Sequence, residues 1–528
     1  MTGALRRAKS AGPRVLLGLA LAVLLGSCGG GGSSSGGGGG GGGGSVPTAP
    51  GAPAIGAGAV ADGTLSVSFA PVAGSSVTYT ASCVSGIDTR TASNAGSPVQ
   101  VTGLANGVPW SCTVRAANAS GTSAPSAPVV ATPSPVLTAA AALPVLSITT
   151  DNGQEVTSKD DYVTASYRIT GTDGAVQANG TTEIRGRGNS TWTYPKKPYR
   201  LKLTSSTALL GMPANRHWVL LANYVDKTLV RTEAAFDLSE KLGLAWTPRA
   251  VPVVVELNGD YRGIYQLVEH VRIGSDRIAI PELKAGDTAP DRISGGYLIE
   301  IDWRKGEAYC PQSARSGAVF CFASPETLLE PAWAPHKAYI DGYLADTEAA
   351  LFGSQFASPT LGYAAFIDVQ SAVDWYLVNE FFKNVDSNFT GSVFLYKPRG
   401  GKLFFGPVWD FDLAIGNADF FGAPDPTGWR TRTAPWFTRL FEDPAFAARV
   451  RERWNQLRAN GTINSVFATI DRRAAFYSQV QVRNFQRWPI LNSTIPLIRP
   501  SSGPYDVQVA TVKTWLLQRR DWMDTQFR

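Results

Sequence analysis

The chain reads as a multi-domain protein with an N-terminal all-β sandwich, an α+β body and a helical C-terminal region. Three observations predict this. At 528 residues, 44% hydrophobic and 17% charged, it exceeds what one core serves. Residues 47–133 alternate with period 2 between turn signals. Residues 421–528 carry apolar side chains at helical spacing, as at Phe446, Val450, Trp454 and Leu457 and again at Trp515, Leu516, Arg519 and Trp522.

The first segment, 1–28, has the form of a lipoprotein signal. Arg6, Arg7, Lys9 and Arg14 precede an apolar run, Val15–Leu25. That run is shorter than the roughly 20 residues a spanning helix needs and has the size and flanks of a secretory h-region. Leu25-Gly26-Ser27-Cys28 follows and resembles the bacterial lipobox, which implies diacylation at Cys28 and anchorage through two chains. The chain is therefore expected outside the cytoplasm, lipid-anchored to a bacterial membrane, with the outer membrane or cell surface permitted by Gly29. Residues 29–46 open with glycine and serine only and read as a flexible tether.

Within 47–133, Leu65–Phe69 and Val77–Ala81 alternate as strands. Leu104-Ala105-Asn106-Gly107, Trp110, Cys112, Val114, Ala116 and Asn118 then precede Gly121-Thr122-Ser123. This order resembles the second half of a fibronectin type III domain, with Trp110 where that family usually has Tyr, and implies a spacer. Residues 134–142 read as a linker, 143–420 as the main domain, and 421–528 as a helical extension packed on it.

Composition excludes several chemistries. The net charge of +6 is small and the Lys and Arg residues are dispersed, so no nucleic-acid footprint is present. The three histidines, His217, His270 and His336, occupy no zinc-ligand spacing, and no Walker A loop occurs. With Cys28 acylated, four cysteines remain. In an exported chain these predict two disulfides, and the domain boundaries favour Cys83–Cys112 and Cys310–Cys321.

Chemistry concentrates in the main domain. Ile184-Arg185-Gly186-Arg187-Gly188-Asn189-Ser190-Thr191-Trp192 is a glycine-containing turn after a strand. Its backbone can approach a phosphate that Arg185 and Arg187 neutralise; a tight hairpin is the structural alternative. Lys196–Leu203 then leads into a strand with alternating cations. Asp226 is expected to cap a helix running to Leu242 and stopping at Gly243. Strands Val251–Leu257 and Gly263–Val268 flank an Asn258-Gly259 turn. Further on, a helix over Asp368–Lys383 leads to Asn384-Val385-Asp386. A strand over Val393–Lys397, a turn and a second strand over Lys402–Val408 then deliver Trp409-Asp410-Phe411-Asp412. A hairpin between Asp386 and Asp410 can bring both carboxylates to one site.

Together, R-G-R-G-N-S-T-W, K-K-P-Y-R-L-K-L, the hairpin over Asn258–Tyr265, G-G-Y-L-I-E at Gly295–Glu300, N-V-D at Asn384–Asp386 and G-P-V-W-D-F-D at Gly406–Asp412 resemble the spore coat protein H (CotH) kinase family. The resemblance implies an atypical, kinase-like bilobal fold. It also implies ATP and Mg²⁺ as cofactors, phosphotransfer to a protein hydroxyl, Asp386 as the catalytic residue, and Asp410, assisted by Asp412, as metal ligand. Arg185, Arg187, Gly188 and Asn189 would line the phosphate turn. Either Lys197 or Lys202 would contact phosphate. Glu233 and Glu240 are both open as partners of that lysine. The other functional class is a surface binding or adhesion protein using this fold as scaffold, its partner a cell-surface protein.

Overall fold

Apolar residues at every second position, as at Leu65, Val67 and Phe69 and at Trp110, Cys112, Val114 and Ala116, give several N-terminal strands one buried face, and two sheets share the core those faces form. The computed structural model describes residues 48–61, 63–105, 109–131, 133 and 142–528. The signal, Cys28, the tether, Asn106-Gly107 and nearly all of the 134–142 linker lie outside the described residues. Strands β1 (Ala54–Ala61), β2 (Thr64–Ala70), β3 (Thr78–Ser85), β4 (Asp88–Asn94), β5 (Val99–Thr102), β6 (Trp110–Asn118), β7 (Gly121–Thr122) and β8 (Val129–Ala131) form this region. One sheet runs β1-β2-β5 and the other β4-β3-β6-β7, with β8 on β6. Leu65, Val67, Val99 and Val101 meet Tyr79, Ala81, Val114 and Trp110 in one core. Cys83 and Cys112 are directly opposed on β3 and β6 and form a disulfide.

From Val145 the chain builds a closed barrel that the sequence does not announce. Its strands are β9 (Val145–Thr150), β10 (Val163–Thr170), β11 (Val176–Gly186), β12 (Tyr199–Leu209), β13 (Met212–Leu221), β14 (Ala250–Leu257) and β15 (Asp260–Glu269). Their order is β10-β11-β12-β13-β15-β14-β9. The parallel pairing of β14 with β9 and the antiparallel pairing of β9 with β10 close it. Because strand side chains alternate, Ile184, Leu201, Leu203, Trp218 and Leu220 fill the interior, while Arg185, Arg200, Lys202 and His217 face outward. The β14–β15 turn has φ of +54° at Asn258 and +77° at Gly259, the two left-handed residues of a type I′ hairpin.

A short helix, α1 (Ser190–Thr193), follows β11, and α2 (Arg231–Leu242) separates β13 from β14. Gly243 at φ +82° ends α2, as the sequence predicts. Its start differs, since Asp226 does not cap it. Leu229 takes φ +62° and breaks the helical run. Asp226 instead accepts from the backbone N–H groups of Thr228 at 2.9 Å and Arg231 at 3.0 Å and pairs with the Arg231 guanidinium.

Beyond a single-turn helix, α3 (Pro290–Ile293), come β16 (Tyr297–Ile301), β17 (Phe320–Ser324), α4 (Ala334–Phe352), α5 (Val369–Phe381), β18 (Val393–Lys397) and β19 (Phe404–Phe405). The four strands form a sheet ordered β17-β16-β18-β19. The strand expected over Lys402–Val408 is only β19, because Gly406 at φ +129° turns the chain off the sheet edge. Asp368 caps α5 by accepting from Ser371 N at 2.8 Å. The C-terminal helices α6 (Pro435–Leu440), α7 (Pro444–Ala459), α8 (Thr462–Arg487) and α9 (Tyr505–Gln526) share one large core with α2, α5 and the four-stranded sheet. No helix among the described residues is long and apolar enough to cross a membrane.

Candidate active site

A cavity of about 610 Å³ is lined by the outward face of β11–β13 on one side and by β16, β18 and the loops after α5 and β19 on the other. Seven of the residues expected in the site line it: Arg185, Arg187, Gly188, Asn189, Lys202, Asp386 and Asp410, with Asp412 as the eighth. Lys197 does not. Its ammonium donates to Trp192 O at 2.7 Å and lies over the Trp192 ring at 5.2 Å. The residue before it, Lys196, lines the cavity but is buried, donating to Ile264 O and, at 3.1 Å, to Asn484 Oδ1. Without a carboxylate partner, burial lowers its pKa to about 7.

The glycine turn after β11 owes its shape to packing. A Cβ on Gly186 would lie 2.4 Å from the Trp192 ring, and one on Gly188, at φ +81°, would lie 2.0 Å from Thr191 Oγ1. The turn holds the two arginines apart. Arg187 is half-buried, its guanidinium over the Trp409 ring at 5.6 Å. Burial lowers its pKa, and Asp410, Glu300 and Asp412 oppose that shift. Arg185 points elsewhere, donating to Lys159 O at 2.7 Å and stacking over Tyr162 at 4.8 Å.

The carboxylates sit on loops that hydrogen bonds hold in place. Asp410 adopts φ +63°, an uncommon conformation for a non-glycine residue that Asp tolerates better than most. Ser392 Oγ donates to its Oδ2 at 3.3 Å, and Asn384 Nδ2 donates to Trp409 O at 3.4 Å, tying the two loops together. Arg430 grips the Asp386 loop through Val385 O at 2.7 Å and Asn388 Oδ1 at 2.8 Å. Glu380 holds Arg430 N and Arg432 N, each at 2.8 Å. Arg519 pairs with Glu380 at 2.7 Å, both side chains fully buried.

Crowding of like charge marks the site electrostatically. Burial and Asp410 push Asp386 up to about 6. Burial, Asp302, Glu307 and Asp410 push Glu300 up to about 8. Asp412 is raised well above the carboxylate range, first by burial and then by Asp410, Asp226 and Asp386. Among the described residues no three His, Cys, Asp or Glu side chains converge closely enough to hold a metal unaided. The donor set nonetheless suits a hard divalent cation that uses one or two carboxylates plus phosphate and water, and such a cation would relieve the repulsion.

Several residues of the site escaped the sequence reading. Glu300 lay in a quoted motif without a role. Asp302, Arg304 and His217 carry no local signal, while Arg200, one of the alternating cations of its strand, had no role assigned. Glu233, one of the two glutamates left open as the lysine's partner, is engaged elsewhere. Glu233 accepts from Gln266 Nε2 at 2.9 Å and Tyr477 OH at 2.5 Å and pairs with Arg473 at 2.6 Å. Lys202 pairs instead with Glu183 at 2.8 Å, across the β11–β12 ladder.

Comparison with solved structures finds chicken CNTN1 FN1-FN3 domains at 13% identity, covering 30% of this chain and 60% of that one with a TM-score of 0.16. Titin kinase and its flanking domains are similar at 11% identity, with 46% and 42% covered and a TM-score of 0.14. The twitchin kinase region from C. elegans is similar at 12%, with 91% and 76% covered and a TM-score of 0.15. The chain thus spans less than two thirds of the first two. No curated protein matches. The CotH kinase protein family matches residues 184–523, a stretch that takes in the glycine turn, both carboxylate loops and the C-terminal helices. With well over half of its length matched, the chain belongs to the CotH kinase protein family.

Proposed function

We propose that this chain is a surface-anchored atypical kinase that transfers phosphate from a nucleotide to a Ser or Thr hydroxyl of a protein, with Mg²⁺ as cofactor. The observation that carries the reading is the convergence of Asp386, Asp410 and Arg187, from three separate segments, on one cavity. Asp410 and Asp412 would hold Mg²⁺, which when bound supplies charge neutralisation for phosphate oxygens. Arg187, beside the carboxylates of Asp410, Glu300 and Asp412, would hold a phosphate oxygen. Asp386 would accept the hydroxyl proton as that oxygen bonds to phosphorus and the bond to the leaving nucleotide breaks. Its raised pKa of about 6 makes it a better proton acceptor than an ordinary carboxylate.

Around this centre the N-terminal strands would act as a fibronectin type III-like sandwich spacer, and Cys28 as the lipid anchor to a bacterial membrane. A substrate protein or cell-surface partner would be met there. One observation favours the scaffold reading instead: Glu233 is committed to Tyr477, Gln266 and Arg473, so this carboxylate of α2 does not support a strand lysine.

Nucleotide titration with and without Mg²⁺ decides between them. In Asp410→Asn, nucleotide affinity should lose its response to Mg²⁺. In Asp386→Asn, affinity should hold while transfer falls about 10²–10⁴-fold. Wild-type protein that binds no nucleotide gives the scaffold reading the lead. For the anchor, Cys28→Ser should move the protein from membrane to soluble fractions.

A further inference from the structure

The cations expected to share one phosphate are split into two groups. Arg187 alone faces the carboxylates. Arg185 and Lys202 lie along the barrel with residues to which the sequence assigned no role: Arg200, His217, His270 and Arg272 all line the same wing of the cavity. Register sets this grouping. Arg185 is directly opposite Arg200 on β11 and β12, and Lys202 is opposite His217 on β12 and β13. Like charges directly opposed across a ladder destabilise it, so an arginine pair at this position calls for a compensating anion.

The compensation within the chain is partial. Arg272 reaches Glu326 only at 3.5 Å. Glu307 also lies near Arg200, Arg185 and Arg272, but burial raises its pKa and weakens its hold as a counter-ion. Arg185 Nε, Arg200 Nε, His217 Nδ1 and His270 Nδ1 are buried without a hydrogen-bond partner. The two imidazole rings lie 6.4 Å apart. Burial first, then the surrounding guanidiniums, lower both histidines, His217 to about 3, so both stay neutral and each can offer one N–H. Leaving several buried donors unpaired is costly, and their convergence on one wing is the arrangement of an oxyanion site.

We infer that the barrel-side wing of the cavity, formed by Arg185, Arg200, Lys202, Arg272, His217 and His270, is an anion subsite separate from the carboxylate centre, and that it takes a phosphate-type oxyanion without a metal. Two molecules could bring that group: the phosphate chain of the donor or a phosphorylated residue of the acceptor. The inference goes beyond the phosphotransfer reading and survives its failure.

Inorganic pyrophosphate is the probe, titrated by calorimetry into the full chain in EDTA at low ionic strength. Binding should weaken about tenfold in Arg200→Gln and in Arg272→Gln, two positions on separate segments, and should not weaken in Asp410→Asn, which removes a negative charge from the same cavity. Each variant must melt near the wild-type temperature, and having two keeps the test open if one misfolds. Displacement of pyrophosphate by a non-hydrolysable adenosine triphosphate assigns the subsite to the donor. Simultaneous binding of that nucleotide, with displacement by a phosphoserine peptide, assigns it to the acceptor. No binding in EDTA overturns the inference, and so does binding that both arginine variants leave unchanged. Loss of the Mg²⁺ response in nucleotide binding tests Asp410 alone, so the two readings fail separately.

Discussion

The two walls of the cavity are built in opposite ways. On the barrel wall, Arg185, Arg200, Lys202 and His217 occupy consecutive outward positions of β11–β13, so ladder register alone fixes which charges are neighbours. On the facing wall, Asp386 and Asp410 ride on loops with left-handed residues at Lys383, Phe389, Ser392, Asp410 and Ile415. Such conformations persist only when the surroundings over-determine them. Here the surroundings are a buried network running from Arg519 through Glu380 and Arg430 to the Asp386 loop. One wall is held by local regularity and the other by contacts distant in sequence.

That contrast predicts where the molecule breaks first. Arg519→Met leaves the Glu380 carboxylate buried without its guanidinium partner. It also frees Pro426 O and Gly428 O, which Arg519 Nη1 holds at 2.9 and 2.6 Å. Removing one partner of a buried pair costs about 3–5 kcal/mol, so the unfolding midpoint in urea should fall steeply. Any Asp386-dependent transfer should be lost before global unfolding, whereas pyrophosphate binding at the barrel wall should persist until it. Equal sensitivity of both would erase the distinction between the walls.

A smaller loss is expected from Cys310→Ser with Cys321→Ser. This disulfide joins β17 to the segment after β16, its two cysteines 11 positions apart in sequence. That segment carries Asp302, Arg304 and Glu307. Closing a loop of this length stabilises by about 3 kcal/mol in the chain-entropy model. The Cys83–Cys112 disulfide belongs to a region with its own core. Removing it should lower that region's stability while leaving nucleotide affinity unchanged. Comparing nucleotide titrations of the two double variants checks both statements.

Titration should separate the walls by sign. An unfolded histidine binds a proton below about 6.5, but folded His217 does so only near 3. Between those values the unfolded chain holds more protons, so this contribution to stability falls as pH drops from about 6.5. Glu300 behaves oppositely. Its folded pKa of about 8 lies above its ordinary value of 4.5, so the native state holds the extra proton across that window and the contribution falls as pH rises toward 8. Melting curves across pH 4.5–8 should therefore show less acid loss in His217→Gln and less alkaline loss in Glu300→Gln. Parallel curves for the two variants would contradict the charge states assigned to the walls.

How much of this was legible in the sequence follows the same divide. Alternation located the strand that begins at Tyr199 and put Arg200 and Lys202 on one face, because strand periodicity is local. The order of helix, loop and hairpin was enough to bring Asp386 and Asp410 into one cavity. Barrel closure left no trace, since β9 pairs in parallel with β14 more than 100 residues later. Arg304, Glu300 and the two histidines join the site only through tertiary packing. Two local readings failed where backbone conformation overruled residue type: Asp226 before the left-handed Leu229, and the strand cut short at Gly406. Between the two candidate lysines the sequence had no means of choosing, because Lys197 turns away through a bond to Trp192 O that no pattern encodes.

The smallest effect concerns the lysine that does line the cavity. Lys202 and Glu183 pair at 2.8 Å with side chains 37% and 43% exposed. Exposed pairs of this kind contribute about 0.2–1 kcal/mol because water screens them and ordering two long side chains costs entropy. Lys202→Met should therefore lower stability by less than about 1 kcal/mol. It removes a positive charge beside the Arg185–Arg200 pair and leaves their backbone pairing intact, so the ladder itself should hold. If Lys202 serves the fold alone, anion binding will not respond to the change. If it serves the barrel wall, pyrophosphate affinity in EDTA should drop severalfold while the melting temperature barely moves, and Lys197→Met should change neither. A variant pair in which Lys197 rather than Lys202 controls anion affinity would require the β11–β12 turn to rearrange on binding, and would sink the static account of this wall.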